Sequence, residues 1–210
     1  SYAMGWGVND NQTFSSILEK KVNRPVYNLA VSGYGTVRAL NRLENSGLID
    51  SVDTIIIQYC YNDYGENIAK PNEEKNNLIE KNFNLINNPV RFGFWKLLRK
   101  TIRYSVKIPF EILLKKNKNM DFSHHELAFI NVLKKFPSIN NKQIIVFYVN
   151  GNEMKFVNFP EGKYSKFKNL TFLNLNLEKN PDNFYSIDGH LNEIGHKKIA
   201  LDLERYLINN

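Results

Sequence analysis

The sequence offers little besides a packed core to hold it together. Its single cysteine, Cys60, excludes an internal disulfide. Cysteine and the four histidines show no spacing of a structural zinc site, so folding calls for neither oxidation nor metal. No apolar run reaches the roughly 20 residues that cross a bilayer. Residues 1–20 lack both the charged start and the apolar stretch of a signal peptide. Excess positive charge is scarce outside one window. The net +7 arises because residues 91–119 hold nine Lys/Arg against one acid, Glu111, while the remainder has 19 bases and 20 acids. A general basic coat of the kind that packages nucleic acid is therefore excluded, and no nucleic-acid partner is expected.

What is present suits one globular domain. Hydrophobic residues make up 42% of the 210 and aromatics 13%, enough for a core and too much for intrinsic disorder. Asn and Lys are abundant without forming a low-complexity tract, a composition that points to a bacterial source. Four β-branched-rich apolar runs, Val26–Ala30, Thr54–Gln58, Gln143–Val149 and Leu170–Leu175, read as strands buried on both faces, the habit of a parallel sheet. Helical patterns separate them: Phe14–Lys21, Val37–Asn45, a stretch opened by the capping-box spacing of Ser123 and Glu126, and Ile194–Leu207. Strands alternating with helices predict an α/β layered fold with right-handed crossovers.

In an open parallel sheet, chemistry gathers at the carboxyl ends of the strands. The loops expected there supply Gly33, then Tyr61-Asn62-Asp63, then Asp188-Gly189-His190. Asp188 and His190 lie two apart, so in an extended loop they share a side and the carboxylate can steer the imidazole, the orienter and base of a nucleophilic triad. Gly33 can offer an unshielded backbone N–H and Asn62 a side-chain amide, donors of the kind an oxyanion hole needs. His196, six residues beyond His190, reads as structural or surface, and His124-His125 as solvent-facing capping sequence. No third ligand stands at metal spacing beside any of these histidines.

Taken in order, these blocks resemble the SGNH hydrolases, or GDSL-type esterases. Ser1 stands where the first block's serine falls, followed by Gly5-Trp6-Gly7-Val8. Asn28 to Gly33 is similar to the second block, Tyr61-Asn62-Asp63 to the third, and Asp188-Gly189-His190-Leu191-Asn192 with Gly195-His196 to the fifth. The likeness runs from residue 1 to about 200. It implies a three-layer α/β/α sandwich with a central, mostly parallel, flavodoxin-like sheet, as a single domain over 1–210. It also implies a serine esterase working through a Ser1, His190 and Asp188 triad, with an oxyanion hole from Ser1 N–H, Gly33 N–H and Asn62, and without a cofactor. Three departures stand out. The Gly-Asp expected before Ser1 is absent, Cys60 replaces a glycine, and Ile187 occupies the place, three before the histidine, where the family often has its aspartate. The first strand is accordingly expected upstream of Ser1, in a longer parent chain.

The family's esterases, lipases, thioesterases and carbohydrate O-acetyl hydrolases or transferases leave the acceptor open between water and a sugar hydroxyl. A small acyl ester, including O-acetyl on a carbohydrate, is the expected substrate. An O-acyltransferase acting on a glycan and a non-catalytic binding module are the alternatives. The basic stretch belongs to an insertion at about 70–120, where Phe94, Leu97, Leu98, Ile102 and Val106 recur at helical spacing with Lys/Arg largely off that stripe. It reads either as a helix packing its stripe on the domain, or as a lid or surface helix suited to an anionic membrane or polysaccharide.

Overall fold

The computed structural model describes residues 2–60, 63–69, 123–149, 162–163, 167 and 169–209. Ser1, Asn62 and the whole 91–119 stretch lie outside the described residues, which all belong to one compact unit built from 1–71 and 122–210.

Helix α1 (Phe14–Val22) starts at Thr13, whose hydroxyl accepts Ser16 N–H, and stops at Asn23, which takes a left-handed conformation. Helix α2 spans Thr36–Asn45 and strand β1 Thr54–Tyr59. A short helix α3 (Asp63–Ala69) follows, then α4 (Ser123–Leu133), β2 (Gln143–Tyr148), β3 (Gly162–Lys163), β4 (Leu170–Leu173) and the long α5 (Glu193–Asn209). The sheet order is β1-β2-β4-β3. The first three strands are parallel, with Thr54 opposite Gln143 and Ile144 opposite Leu170, and β3 runs antiparallel along the edge.

Side chains alternate across this sheet and build two cores. On one face Ile57, Ile144, Val146 and Phe172 meet Leu40 of α2 and Phe129 and Leu133 of α4. On the other, Ile145 and Phe147 meet Phe14 and Leu18 of α1 and Ile199 and Leu203 of α5. Because β2 is covered on both sides, its Ile144 to Phe147 run is continuously buried, and the fold is a three-layer α/β/α sandwich.

Two readings of the sequence need correction. Val26–Ala30 joins no ladder among the described residues. A β-rich run becomes a strand only beside a partner backbone, and here the segment is held by side chains instead: Asn28 Nδ2 donates to Ala3 O at 2.9 Å and to Ser15 Oγ at 3.0 Å. His125 is buried, not solvent-facing. Its Nδ1 lies 3.0 Å from Tyr59 Oη, and its ring stacks on Tyr64 with centroids 4.3 Å apart. The side chain of His124 lies outside the described residues.

Candidate active site

After β4 the chain turns through residues 184–191 into α5, and this turn carries Asp188 and His190, the pair nominated from the sequence. It is closed by Tyr185 N–H donating to His190 O at 2.7 Å and Gly189 N–H to Tyr185 O at 3.0 Å, with a bridge between Phe184 and Leu191 at its neck. Asn192 anchors its exit, with Oδ1 accepting Ile194 N–H at 3.0 Å as the cap of α5 and Nδ2 donating to Asp182 O at 2.7 Å.

Within the turn, the carboxylate of Asp188 spans both halves of His190. Oδ1 accepts the His190 backbone N–H at 3.0 Å, and Oδ2 lies 3.2 Å from ring Nδ1. The carboxylate and the imidazole are thus within ion-pair range. The backbone N–H of His190, followed by the charge of its ring, holds the Asp188 carboxyl below the usual carboxylate range. A spacing of two thus lets one carboxylate reach both the backbone N–H and the ring of His190. Ile187, at the spacing of three, is 97% exposed and orients nothing.

The N-terminal turn packs directly on this pair. Tyr2 lies with its ring centroid 5.1 Å from that of His190 and donates its hydroxyl to Gly189 O at 3.3 Å, while Trp6 stands 6.2 Å from His190, centroid to centroid. Tyr185 Oη fastens the same turn by donating to Gly7 O at 2.7 Å. The residue immediately after the nominated serine is thus seated against the nominated base.

Gly33 occupies the third position of a tight turn from Val31 to Tyr34, closed by Tyr34 N–H to Val31 O at 3.2 Å. Its φ of +77° is one that glycine adopts without strain. Among the described residues Gly33 N–H has no hydrogen-bond acceptor, and a Cβ placed on this residue would meet nothing within 4 Å. The carboxylate of Glu66, on α3 just after Asn62-Asp63, binds Gly35 N–H at 3.2 Å and Arg38 N–H at 3.0 Å. These contacts chain the blocks together: the 184–191 turn to the N-terminal turn, that turn to Asn28 through Ala3, and the Gly33 turn to α3.

A family model, GDSL-like Lipase/Acylhydrolase, matches residues 4–203. The chain belongs to the GDSL-like lipase/acylhydrolase family. No curated protein and no solved structure matches it. As a GDSL-like acylhydrolase it is a hydrolase of ester bonds with small-molecule ester substrates.

For this acylhydrolase, Asp188 and His190 are brought together, Gly33 lies in an accessible turn, and Ser1 and Asn62 fall outside the described residues. Tyr2, Trp6, Arg38 and Glu66 escape sequence reasoning. The first two read as ordinary aromatics of a glycine-rich turn, and nothing in the sequence signals that Arg38 and Glu66, 28 positions apart, share an ion pair. Asp63 is buried and accepts Cys60 N–H at 3.3 Å, and burial, reinforced by the Glu66 charge, pushes its carboxyl up to about 7. His196 is fully buried on α5. Its Nδ1 accepts Phe14 N–H at 3.1 Å, tying α1 to α5, and burial pulls it down to about 4, so it acts as a neutral structural residue. No group of three or more His, Cys, Asp or Glu suited to a metal occurs among the described residues.

Proposed function

We propose that this acylhydrolase is a serine esterase cleaving a small acyl ester, including O-acetyl on a carbohydrate, through Ser1, His190 and Asp188. The observation that carries this reading is the Asp188–His190 pair, 3.2 Å apart, with Tyr2 packed on the imidazole. With Nδ1 turned to Asp188, Nε2 is the nitrogen on the substrate side. It takes the Ser1 hydroxyl proton as Oγ attacks the ester carbonyl, and the carboxylate stabilises the imidazolium that results. Ser1 N–H, Gly33 N–H and the Asn62 amide receive the tetrahedral oxyanion. The carbonyl re-forms as the C–O bond to the alcohol breaks, His190 returns the proton to the departing alkoxide, and water then releases the acyl group by the same steps in reverse order. Each oxyanion donor in such a site is worth about 10²- to 10³-fold in rate.

A carbohydrate alcohol is supported by Trp6, which stands 52% exposed beside His190 and offers an amphipathic ring to a sugar face. The basic 91–119 stretch would carry contact with an anionic membrane or polysaccharide, which co-sedimentation of the whole chain with anionic and neutral vesicles tests. For the chemistry, hydrolysis of a chromogenic acetyl ester should proceed with the parent and fall to background in Ser1→Ala and His190→Ala. Equal rates in all three would remove the triad. Acetyl appearing on an added sugar in preference to water would make the enzyme a transferase.

A further inference from the structure

The turn that presents Gly33 is gripped by one carboxylate and one guanidinium that have no direct part in acyl transfer. Glu66 reaches from α3 to the start of α2. There Gly35, the cap residue, has no side chain with which to satisfy the helix's own N–H groups, and Glu66 accepts the N–H of Gly35 at 3.2 Å and of Arg38 at 3.0 Å. The approach is so close that a Cβ on Gly35 would lie 2.8 Å from Glu66 Cδ. The same carboxylate holds the Arg38 side chain, with Nε at 2.7 Å and a terminal nitrogen at 2.6 Å from Oε2. Arg38 in turn lies over the Tyr34 ring, 4.8 Å from its centroid, and donates a terminal N–H to Gly33 O. Gly33 is therefore fixed through its carbonyl while its own N–H has no acceptor among the described residues.

We propose that Arg38, oriented by Glu66, is a positioning residue that sets the Gly33 peptide and so aims its N–H at the oxyanion. The inference rests on the reading of Gly33 as an oxyanion donor. Glycine at +77° could rotate between several conformations, and a charge-assisted bond to its carbonyl removes that freedom before substrate arrives. Because Glu66 sits on the helix that begins immediately after Asn62 in the sequence, the clamp also ties the Gly33 turn to the element that follows the second donor. Neither side chain needs to touch substrate.

The test uses the full chain and the chromogenic acetyl ester, with the parent, Arg38→Met, Arg38→Lys, Glu66→Gln and His190→Ala assayed side by side. Phenylboronic acid serves as the probe of the tetrahedral state. For Arg38→Met, kcat should fall about 10- to 100-fold, part of the worth of one donor, with KM changed by less than about threefold. Phenylboronate inhibition should weaken in parallel with kcat, and the pH–rate profile should keep its shape. Arg38→Lys, which retains a donor for Gly33 O, should recover part of the loss. If Arg38→Met does not fold, Glu66→Gln decides, since its amide oxygen still accepts one of the two α2 N–H groups while the charge that holds Arg38 is lost; its kcat should fall about 10-fold or more while its melting temperature drops by only a few degrees. An inactive His190→Ala protein beside fully active Arg38→Met or Glu66→Gln proteins overturns the clamp alone. A His190→Ala protein as active as the parent overturns the site reading and the clamp with it.

Discussion

At the scale of single residues, the proposed site turns on which of two adjacent side chains serves the histidine. Asp188 contacts both the backbone N–H and the ring of His190, whereas Ile187 faces solvent. Asp188→Asn keeps an acceptor for the backbone bond but loses the charge that stabilises the imidazolium, so kcat for the acetyl ester should drop about 10³-fold or more with little change in melting temperature. Ile187→Ala removes an exposed side chain and should alter stability by no more than about 0.5 kcal/mol in urea unfolding. Comparable activity losses in the two proteins would show that the turn as a whole matters, and not the carboxylate. The spacing of Asp188 and His190 makes this pair legible in the sequence. The contacts of Tyr2, Trp6, Arg38 and Glu66 are not legible there, because their partners lie far along the chain and no local pattern encodes them.

At the scale of elements, legibility follows the source of each element's stability. Helices α1, α2, α4 and α5 and strands β1, β2 and β4 have their own apolar periodicity, and the structure places each within two or three residues of where the sequence predicts it. Val26–Ala30 has the composition of a strand, but pairing is a property of the neighbour and not of the run. Helix α3 is seven residues long, contains Gly65, and is too polar to announce itself. Strand β3 is a two-residue edge piece. The capping pattern around His125 says where a helix begins and not which of its sides is buried.

The N-terminal turn gives the element scale its prediction. Gly5 has a φ of +88°, and a Cβ there would lie 2.5 Å from Thr13 Cγ2, on the buried residue that caps α1. Gly5→Ala therefore combines left-handed strain with a clash against a fixed side chain, and urea unfolding should show a loss of about 2 kcal/mol. Since this turn seats Tyr2 and Trp6 on His190, kcat/KM should fall as well. A Gly5→Ala protein of unchanged stability would mean that the turn relaxes freely and that its hold on the site is weak.

At the scale of the molecule, the stability profile with pH joins two buried groups on opposite faces of the sheet. His196, pulled down to about 4 by burial, is neutral when folded but binds a proton in the unfolded chain below about 6.5. Its contribution is complete above 6.5 and is lost as pH falls towards 4, on the order of 3 kcal/mol over that window. Asp63, pushed up to about 7 by burial and then by the Glu66 charge, behaves oppositely. It keeps its proton in the folded state while the unfolded carboxyl ionises near 4, so its contribution is complete below about 4 and is lost as pH rises through 7, by on the order of 4 kcal/mol. Between about pH 4 and 6.5 the two slopes nearly cancel in the parent. Asp63→Asn can still accept Cys60 N–H, so it should unmask the His196 slope, with stability relative to the parent rising by up to about 1.4 kcal/mol per pH unit and the protein more stable than the parent at pH 7. His196→Asn can keep an acceptor for Phe14 N–H and should show the reverse, a stability relative to the parent that climbs as the solution is acidified. Urea unfolding of the three proteins at pH 4.5, 5.5, 6.5 and 7.5 isolates each group, because the surface carboxylates common to all three drop out of the differences. Parallel profiles for parent and variants would mean that neither burial perturbs its proton, and the two cores would then be wetter than their packing shows.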